Sequence, residues 1–324
     1  MAAPQATLSD SIRPAAQKTT YTPRPMRAYG ALTVGAVCIG FSAIFTRWAG
    51  VPGSVSAFYR VVIATLVLAV PFAVQWLRQR GQAAAQPDVI EEEKAAGRYS
   101  PTRILVVTAL TGLFFALDLA TWNTALGITT AANATLLGNT STLWVSLGAL
   151  LFFHEMLKRR FWAGMAVALA GAAIVVGHDV WQHPSLSWGD VLSVISSLFY
   201  AGYLLGTGRV RRYIGTLSFM WISSAVAAIL LLAYVLVTGQ TLWGFSADTW
   251  RALFALGLVS HVLGWLSINY ALGHLPAPLT AVSLLSQPVI TAIAAVPLLG
   301  ETLSPFQIGG GLLVLLGVYT VNRR

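Results

Sequence analysis

Charge is the first thing this sequence lacks. Only 10% of its 324 residues are Asp, Glu, Lys or Arg, against about 25% in an ordinary soluble domain. With 56% hydrophobic residues, there is too little polar surface to cover a soluble globule, which excludes that class. Cysteine is nearly absent as well. The single Cys38 lies inside an apolar run, allows no internal disulfide and is expected only to pack. Also missing are a clustered Asp/His set at a common depth, a nucleophile triad and a metal spacing. His154-Glu155 has no second His at the interval a zinc helix requires. No cofactor or metal is therefore expected, and an enzyme is not. No short apolar region with a cleavage site precedes the first long run, so a cleaved signal peptide is not expected.

What is present is a series of apolar runs close to 20 residues long, about what a helix needs to cross roughly 30 Å of hydrocarbon. We expect an all-α polytopic membrane protein with ten transmembrane helices, at 28–48, 54–77, 103–126, 131–153, 161–178, 188–208, 216–238, 249–272, 278–299 and 305–322. Residues 1–27, rich in Pro, Thr and Ala, read as a disordered cytoplasmic tail. The connection 78–102 carries Glu91, Glu92 and Glu93 with Arg78, Arg80, Lys94 and Arg98, and reads as a solvated cytoplasmic loop.

The net charge of +9 could suggest a nucleic-acid partner, but its placement argues otherwise. When alternate connections are assigned to opposite sides, all of the 20 Lys and Arg except Arg47, Arg60 and Arg251 fall on one side. The positive-inside bias makes that side cytoplasmic, with both termini there. The expected partners are the lipid bilayer of the cell (inner) membrane and a small-molecule substrate, with no nucleic acid. The chain is expected to act as a monomer.

An internal repeat organises the chain. From Thr121-Trp-Asn-Thr-Ala-Leu-Gly127 to Ser267-Ile-Asn-Tyr-Ala-Leu-Gly273, 146 residues on, Asn123 pairs with Asn269 and Gly127 with Gly273. At the same offset Glu155 pairs with Glu301, Leu157 with Leu303 and Gly164 with Gly310. The halves are 28–178, which includes the 78–102 loop, and 188–322. Five spans in each half make the second enter the membrane inverted relative to the first. Inverted repeats mark transporters, with the site near the midplane between the halves.

These residues resemble a known family, the EamA-type branch of the drug/metabolite transporter superfamily. Cys38-Ile-Gly40-Phe-Ser-Ala-Ile-Phe45 looks like its first-span segment, and Ala57-Phe-Tyr-Arg60-Val-Val-Ile-Ala64 is similar to its second-span pattern. The duplicated Asn-x-Ala-Leu-Gly element, the Glu turn and the Gly-rich fifth and tenth spans extend the resemblance over essentially 28–322. One departure is Thr142, where Pro288 in the ninth span would have its counterpart. The aromatic-rich interior is similar to the family's YddG-type exporters of aromatic amino acids. The resemblance implies export of amino acids, aromatic ones favoured, or of related metabolites by alternating access. A broad-specificity drug/metabolite exporter is the alternative.

An ionisable side chain at mid-bilayer costs roughly 2.5–3.5 kcal/mol on insertion scales, so each needs a reason. Arg60 can serve as a substrate-carboxylate counter-ion or gate, or as a structural group bonded to carbonyls near a helix break. Asp118 lies on a stripe with Thr111 and Trp122. It can bind an ammonium or carry a proton, or form a buried cap. His261 shares a face with Trp265 and Asn269 at i, i+4 and i+8 and is the leading site residue; its plain alternative is a bond to a neighbouring helix. The candidate path is completed by Phe41, Ser42, Tyr59, Tyr200, Tyr203, Ser286 and Gln287, with a kink expected at Pro288. Asn123, Asn269, Glu155 and Glu301 are structural marks of the repeat. Trp181, Trp188, Trp243 and Trp250 are expected as interfacial anchors.

Overall fold

The computed structural model describes residues 25–85, 101–129, 131–182, 187–300 and 302–323. The expected tail up to residue 24, the acidic stretch of the 78–102 loop, and Glu301 lie outside the described residues. The described elements are helical. They are α1 (Pro25–Gly40), α2 (Ser42–Ala49), α3 (Gly53–Ala85), α4 (Pro101–Leu126), α5 (Ala131–Gly138), α6 (Ser141–Phe153), α7 (Arg159–Gln182), α8 (Trp188–Val210), α9 (Thr216–Val237) and α10 (Ala247–Ala255). A π-helical segment (Leu256–Trp265) then leads into α11 (Leu266–Leu272), followed by α12 (Ala277–Leu284), α13 (Gln287–Leu299) and α14 (Pro305–Asn322).

Among the described residues, nine stretches are long and apolar enough to cross a membrane: 26–49, 53–78, 102–126, 134–153, 188–210, 216–237, 247–272, 277–299 and 305–322. They match nine of the expected spans. The remaining one, 161–178, lies in α7, a helix of 24 residues. The expected loop 78–102 is helical as far as Ala85, because Arg-Gln-Arg and Ala-Ala-Ala are good helix formers that carry α3 beyond its apolar stretch.

Burial is inverted relative to a soluble protein. Leu66, Val70, Leu151, Phe152, Ile229 and Leu312 are each more than 60% exposed. Ser193, Ser196, Ser224, Ser260, His261 and Asn269 are buried. Polar groups point inward and leucines outward, as a hydrocarbon solvent requires. The chain is a multi-pass membrane protein.

Two long hydrophobic stretches are broken without a proline at the break. The 26–49 stretch breaks at Phe41 and the 134–153 stretch at Asn139–Thr140. In 277–299 the break falls at Leu285–Ser286, just before Pro288, where the Pro sits in the first turn of α13. Broken backbone inside a membrane must find partners. The Gly40 carbonyl accepts from Thr291 Oγ1 at 2.7 Å, and the Cys38 carbonyl from Ser260 Oγ at 3.0 Å.

The helix ends recur at a constant interval. α4 ends at Leu126 and α11 at Leu272; α5 covers 131–138 and α12 277–284; α6 covers 141–153 and α13 287–299. Packing is reciprocal too: α4 lies along α8, and α1 lies along the π segment and α11. α3 packs on α9, while α7 packs on α14. The α7–α14 contact is close because glycines face each other. A Cβ at Gly164 would stand 2.9 Å from the Gly317 carbonyl oxygen, and one at Gly171 2.6 Å from that of Gly310. This is the small-residue packing of membrane helices, and it leaves α7 and α14 as scaffold outside the polar interior.

Candidate functional site

The interior is built around Trp265, at the end of the π segment and 3% exposed. Its indole is enclosed by three rings. Phe115 of α4 lies 5.2 Å away, Tyr203 of α8 5.1 Å and Tyr200 5.9 Å, all edge-on. Edge-to-face geometry matches a ring's positive rim to its neighbour's negative face. Phe115 also touches Tyr203 at 4.8 Å and His261 at 5.6 Å. Residues from three separate elements thus become one aromatic wall shared by α4, α8 and the π segment.

His261 sits beside this wall. Its Nε2 is 3.0 Å from Ser224 Oγ on α9, and its buried Nδ1 has no hydrogen-bond partner. The Trp265 Nε1 is likewise buried and unpartnered. The wider π turn brings His261 and Trp265 to the interior together, one turn apart.

Charge enters from two helices. Arg60 on α3 donates from Nη1 to Ser42 Oγ at 3.3 Å, while its buried Nε has no partner. Ser42 opens α2, directly after the Phe41 break. Asp118 on α4 accepts from Ser196 Oγ of α8 on Oδ1 at 2.5 Å. Arg60 feels the charge of Asp118 and the hydroxyls of Tyr200 and Tyr203, but forms no ion pair with Asp118. Arg60, Asp118, Tyr200 and Ser42 are all half-buried although they lie in the bundle interior, so part of their surface stays accessible. Tyr200 also faces Gln287, at the start of α13 beyond the Ser286 break. The Ser286 hydroxyl donates back across the break to the Ser283 carbonyl near the end of α12 at 2.7 Å.

The remaining candidates lie further out. Phe41 stacks on Phe45 at 6.1 Å. Trp122 lies over Gly138 at the end of α5, one turn from Asp118. Tyr59 donates its hydroxyl to the Leu242 carbonyl and packs edge-on against Trp250 at 5.0 Å and Phe245 at 6.2 Å. Trp250, expected as an anchor, therefore belongs to a cluster that joins α3 to α10. Trp188 and Trp243 are 76% and 74% exposed, as anchors would be.

The two repeat-marking asparagines hold connections. Asn123 Nδ2 donates to the Leu119 carbonyl at 2.6 Å, and its Oδ1 lies against Gly53, just after the α2–α3 connection. Asn269 accepts from the Tyr203 hydroxyl at 3.0 Å, and its carbonyl accepts from Arg211 Nε, also at 3.0 Å. Arg211 caps α8 and donates further to Ile214 and Thr216. Burial lowers its guanidinium to about 10. Glu155, in the α6–α7 connection, lies near Arg212 and Arg209.

Sequence reading missed Phe115, Ser224 and the bridging role of Arg211. Phe115 stands one turn before Asp118 on the same face of α4, and Ser224 is half of the Ser223–Ser224 pair in an otherwise apolar helix; those were the available signals. Among the described residues no group of three His, Cys, Asp or Glu comes together.

A solved crystal structure of another protein shares this architecture, with a TM-score of 0.68 at 18% identity, covering 92% of this chain and 96% of that one. An "Uncharacterized transporter" of Archaeoglobus fulgidus is 30% identical over 273 residues, 83% of this chain and 87% of its own. A "Probable amino-acid metabolite efflux pump" of Salmonella typhimurium is 29% identical over 187 residues, 54% of this chain and 61% of its own. The EamA-like transporter family matches the chain twice, over residues 26–177 and again over 187–323. With both of its halves matched, the chain belongs to the EamA-like transporter family.

Proposed function

We propose that this protein exports amino acids, aromatic ones favoured, from the cytoplasm by alternating access. The observation that supports the reading is the half-buried set of Arg60, Asp118 and Tyr200 inside the bundle, which we read as lining a chamber, beside the aromatic wall of Phe115, Tyr203 and Trp265. Such a chamber offers the accessible ring of Tyr200, backed by the buried wall, to a substrate ring and placed polar groups to its head. The name of the Salmonella relative supports the same class.

The architecture in this reading is ten spans in two inverted five-helix halves, 28–178 and 188–322, with α7 as the fifth span. The recurrence of helix ends, the reciprocal packing of α4 on α8 and α1 on the π segment, and the double family match support it. Alternating access follows if the halves exchange conformations around a fixed site. The bias of Lys and Arg puts both termini on the cytoplasmic side of the inner membrane. The site comprises His261, Trp265, Asp118, Trp122, Arg60, Ser42, Tyr200, Tyr203, Ser286 and Gln287, with Phe41 and Tyr59 at its edges.

The test is uptake by proteoliposomes of purified protein across a panel of amino acids and unrelated metabolites, with and without a pH gradient. Faster movement of aromatic amino acids is expected. Movement of another class with no amino-acid uptake refutes the reading, and equal uptake of unrelated metabolites marks a broad-specificity exporter instead.

A further inference from the structure

The two charged groups of the chamber are under-satisfied in a complementary way. Arg60 uses one N–H, in a 3.3 Å contact with Ser42, and its buried Nε donates to nothing. Asp118 receives one hydroxyl, Ser196, on Oδ1. The groups are close enough to feel each other's charge, yet they form no ion pair. Opposite charges brought out of water ordinarily pair with each other, because each left alone costs several kcal/mol. Here each is instead held by a hydroxyl from another helix: Arg60 by the residue after the α1–α2 break, Asp118 by α8. The hydroxyls hold the two groups apart, each with hydrogen-bonding capacity left unused.

We infer that the chamber recognises an amphoteric head group, with Arg60 taking its carboxylate and Asp118 its ammonium. This rests on the amino-acid reading above and assigns the two ends of the substrate. A carboxylate accepts charge-assisted N–H···O bonds from a guanidinium, and Arg60 has terminal N–H groups beyond the one given to Ser42. The free Asp118 oxygen then accepts from the ammonium, and the substrate's apolar end faces Tyr200 on the aromatic wall. Selectivity follows: a substrate lacking either charge leaves one protein group unmatched, so monopolar analogues are rejected. Polarity at one end alone would not produce this.

The experiment measures inhibition of labelled phenylalanine uptake into proteoliposomes by phenylalanine, phenethylamine and 3-phenylpropionate, which share one ring and differ only in charge. In the wild type each monopolar analogue should compete at least about tenfold more weakly. Asp118→Asn, which keeps an acceptor for Ser196, should narrow the gap between phenylalanine and phenylpropionate. Arg60→Gln should narrow the gap to phenethylamine. Asp118→Glu retains the charge, should preserve the preference, and serves if the Asn variant does not fold. Equal competition by an analogue in the wild type, or variants that weaken all three in parallel, overturns the assignment while leaving amino-acid export standing. Failure of all three where another substrate class moves removes the export reading and this inference together.

Discussion

His154 and Gly300 stand 146 residues apart and close their helices in the same way. Both are left-handed, at φ 54° and 69°, and their N–H groups bond the Ala149 and Ala295 carbonyls. Among the described residues His154 is the one non-glycine with positive φ, and a side chain there costs about 1 kcal/mol or more. His154→Gly should therefore stabilise the protein by about 1 kcal/mol, and Gly300→Ala should destabilise it by a similar amount. Thermal unfolding of both variants in detergent checks the pair.

A second pair of glycines separates packing from propensity within one helix. Gly317 on α14 faces backbone: a Cβ there would be 2.5 Å from the Gly164 carbonyl oxygen. Gly309, on the same helix, has nothing within 4 Å of a Cβ. Gly317→Ala should cost about 1–3 kcal/mol by pushing α7 away. Gly309→Ala should be neutral or slightly stabilising, since alanine is the better helix former. Equal melting temperatures for the two variants would argue against close α7–α14 packing.

The aromatic wall and the histidine should differ in what they stabilise. Ser224→Ala removes the partner of His261 Nε2 and should cost about 1 kcal/mol, the usual scale for a hydrogen bond between membrane helices. Phe115→Ala removes contacts to three rings and should cost about 3–5 kcal/mol. In uptake assays the first variant should remain folded with altered transport, while the second should be lost mainly through instability. Far-UV melts together with uptake rates distinguish the two outcomes.

At the α6–α7 connection, burial raises the Glu155 carboxyl above its ordinary 4.5, against the opposing pull of Arg212 and then Arg209. A carboxyl raised in the folded state binds more protons there than in the unfolded chain. Its contribution is full below pH 4.5 and declines as pH rises through the folded value. Glu155→Gln should flatten this part of the stability–pH curve above pH 4.5. An unchanged curve would mean that Arg212 and Arg209 offset the burial.

Much of this was legible in the sequence. Nine of the expected spans fall on apolar helical stretches, and the Asn123/Asn269 and Gly164/Gly310 marks coincide with helix ends and a close glycine contact. The break at Ser286 was legible through Pro288, because a missing N–H is a local property. The break at Phe41 was not, because its carbonyl partners are the distant hydroxyls of Ser260 and Thr291 rather than a local residue type. For the same reason the Asp118–Ser196 and His261–Ser224 pairs were hidden. A serine in a membrane helix ordinarily bonds its own backbone, as Ser193 does to Gly189 at 2.8 Å, and only the packing of α4 on α8 or α9 on the π segment reveals the exceptions. The packing of Trp250 on Tyr59 was hidden too, because a tryptophan near a helix end suits a headgroup layer as well as a neighbouring ring.

The Phe41 break has one further consequence. Two carbonyls just before the joint, those of Cys38 and Gly40, are held by Ser260 of the π segment and Thr291 of α13, both in the second half of the chain. Any sliding of α1 against those helices must first unlatch two hydroxyls. Ser42, one residue beyond the break, is also the group that steadies Arg60. A movement that freed this joint would therefore also disturb the contact between Ser42 and Arg60, which couples the packing of α1 on the second half to the seating of one guanidinium.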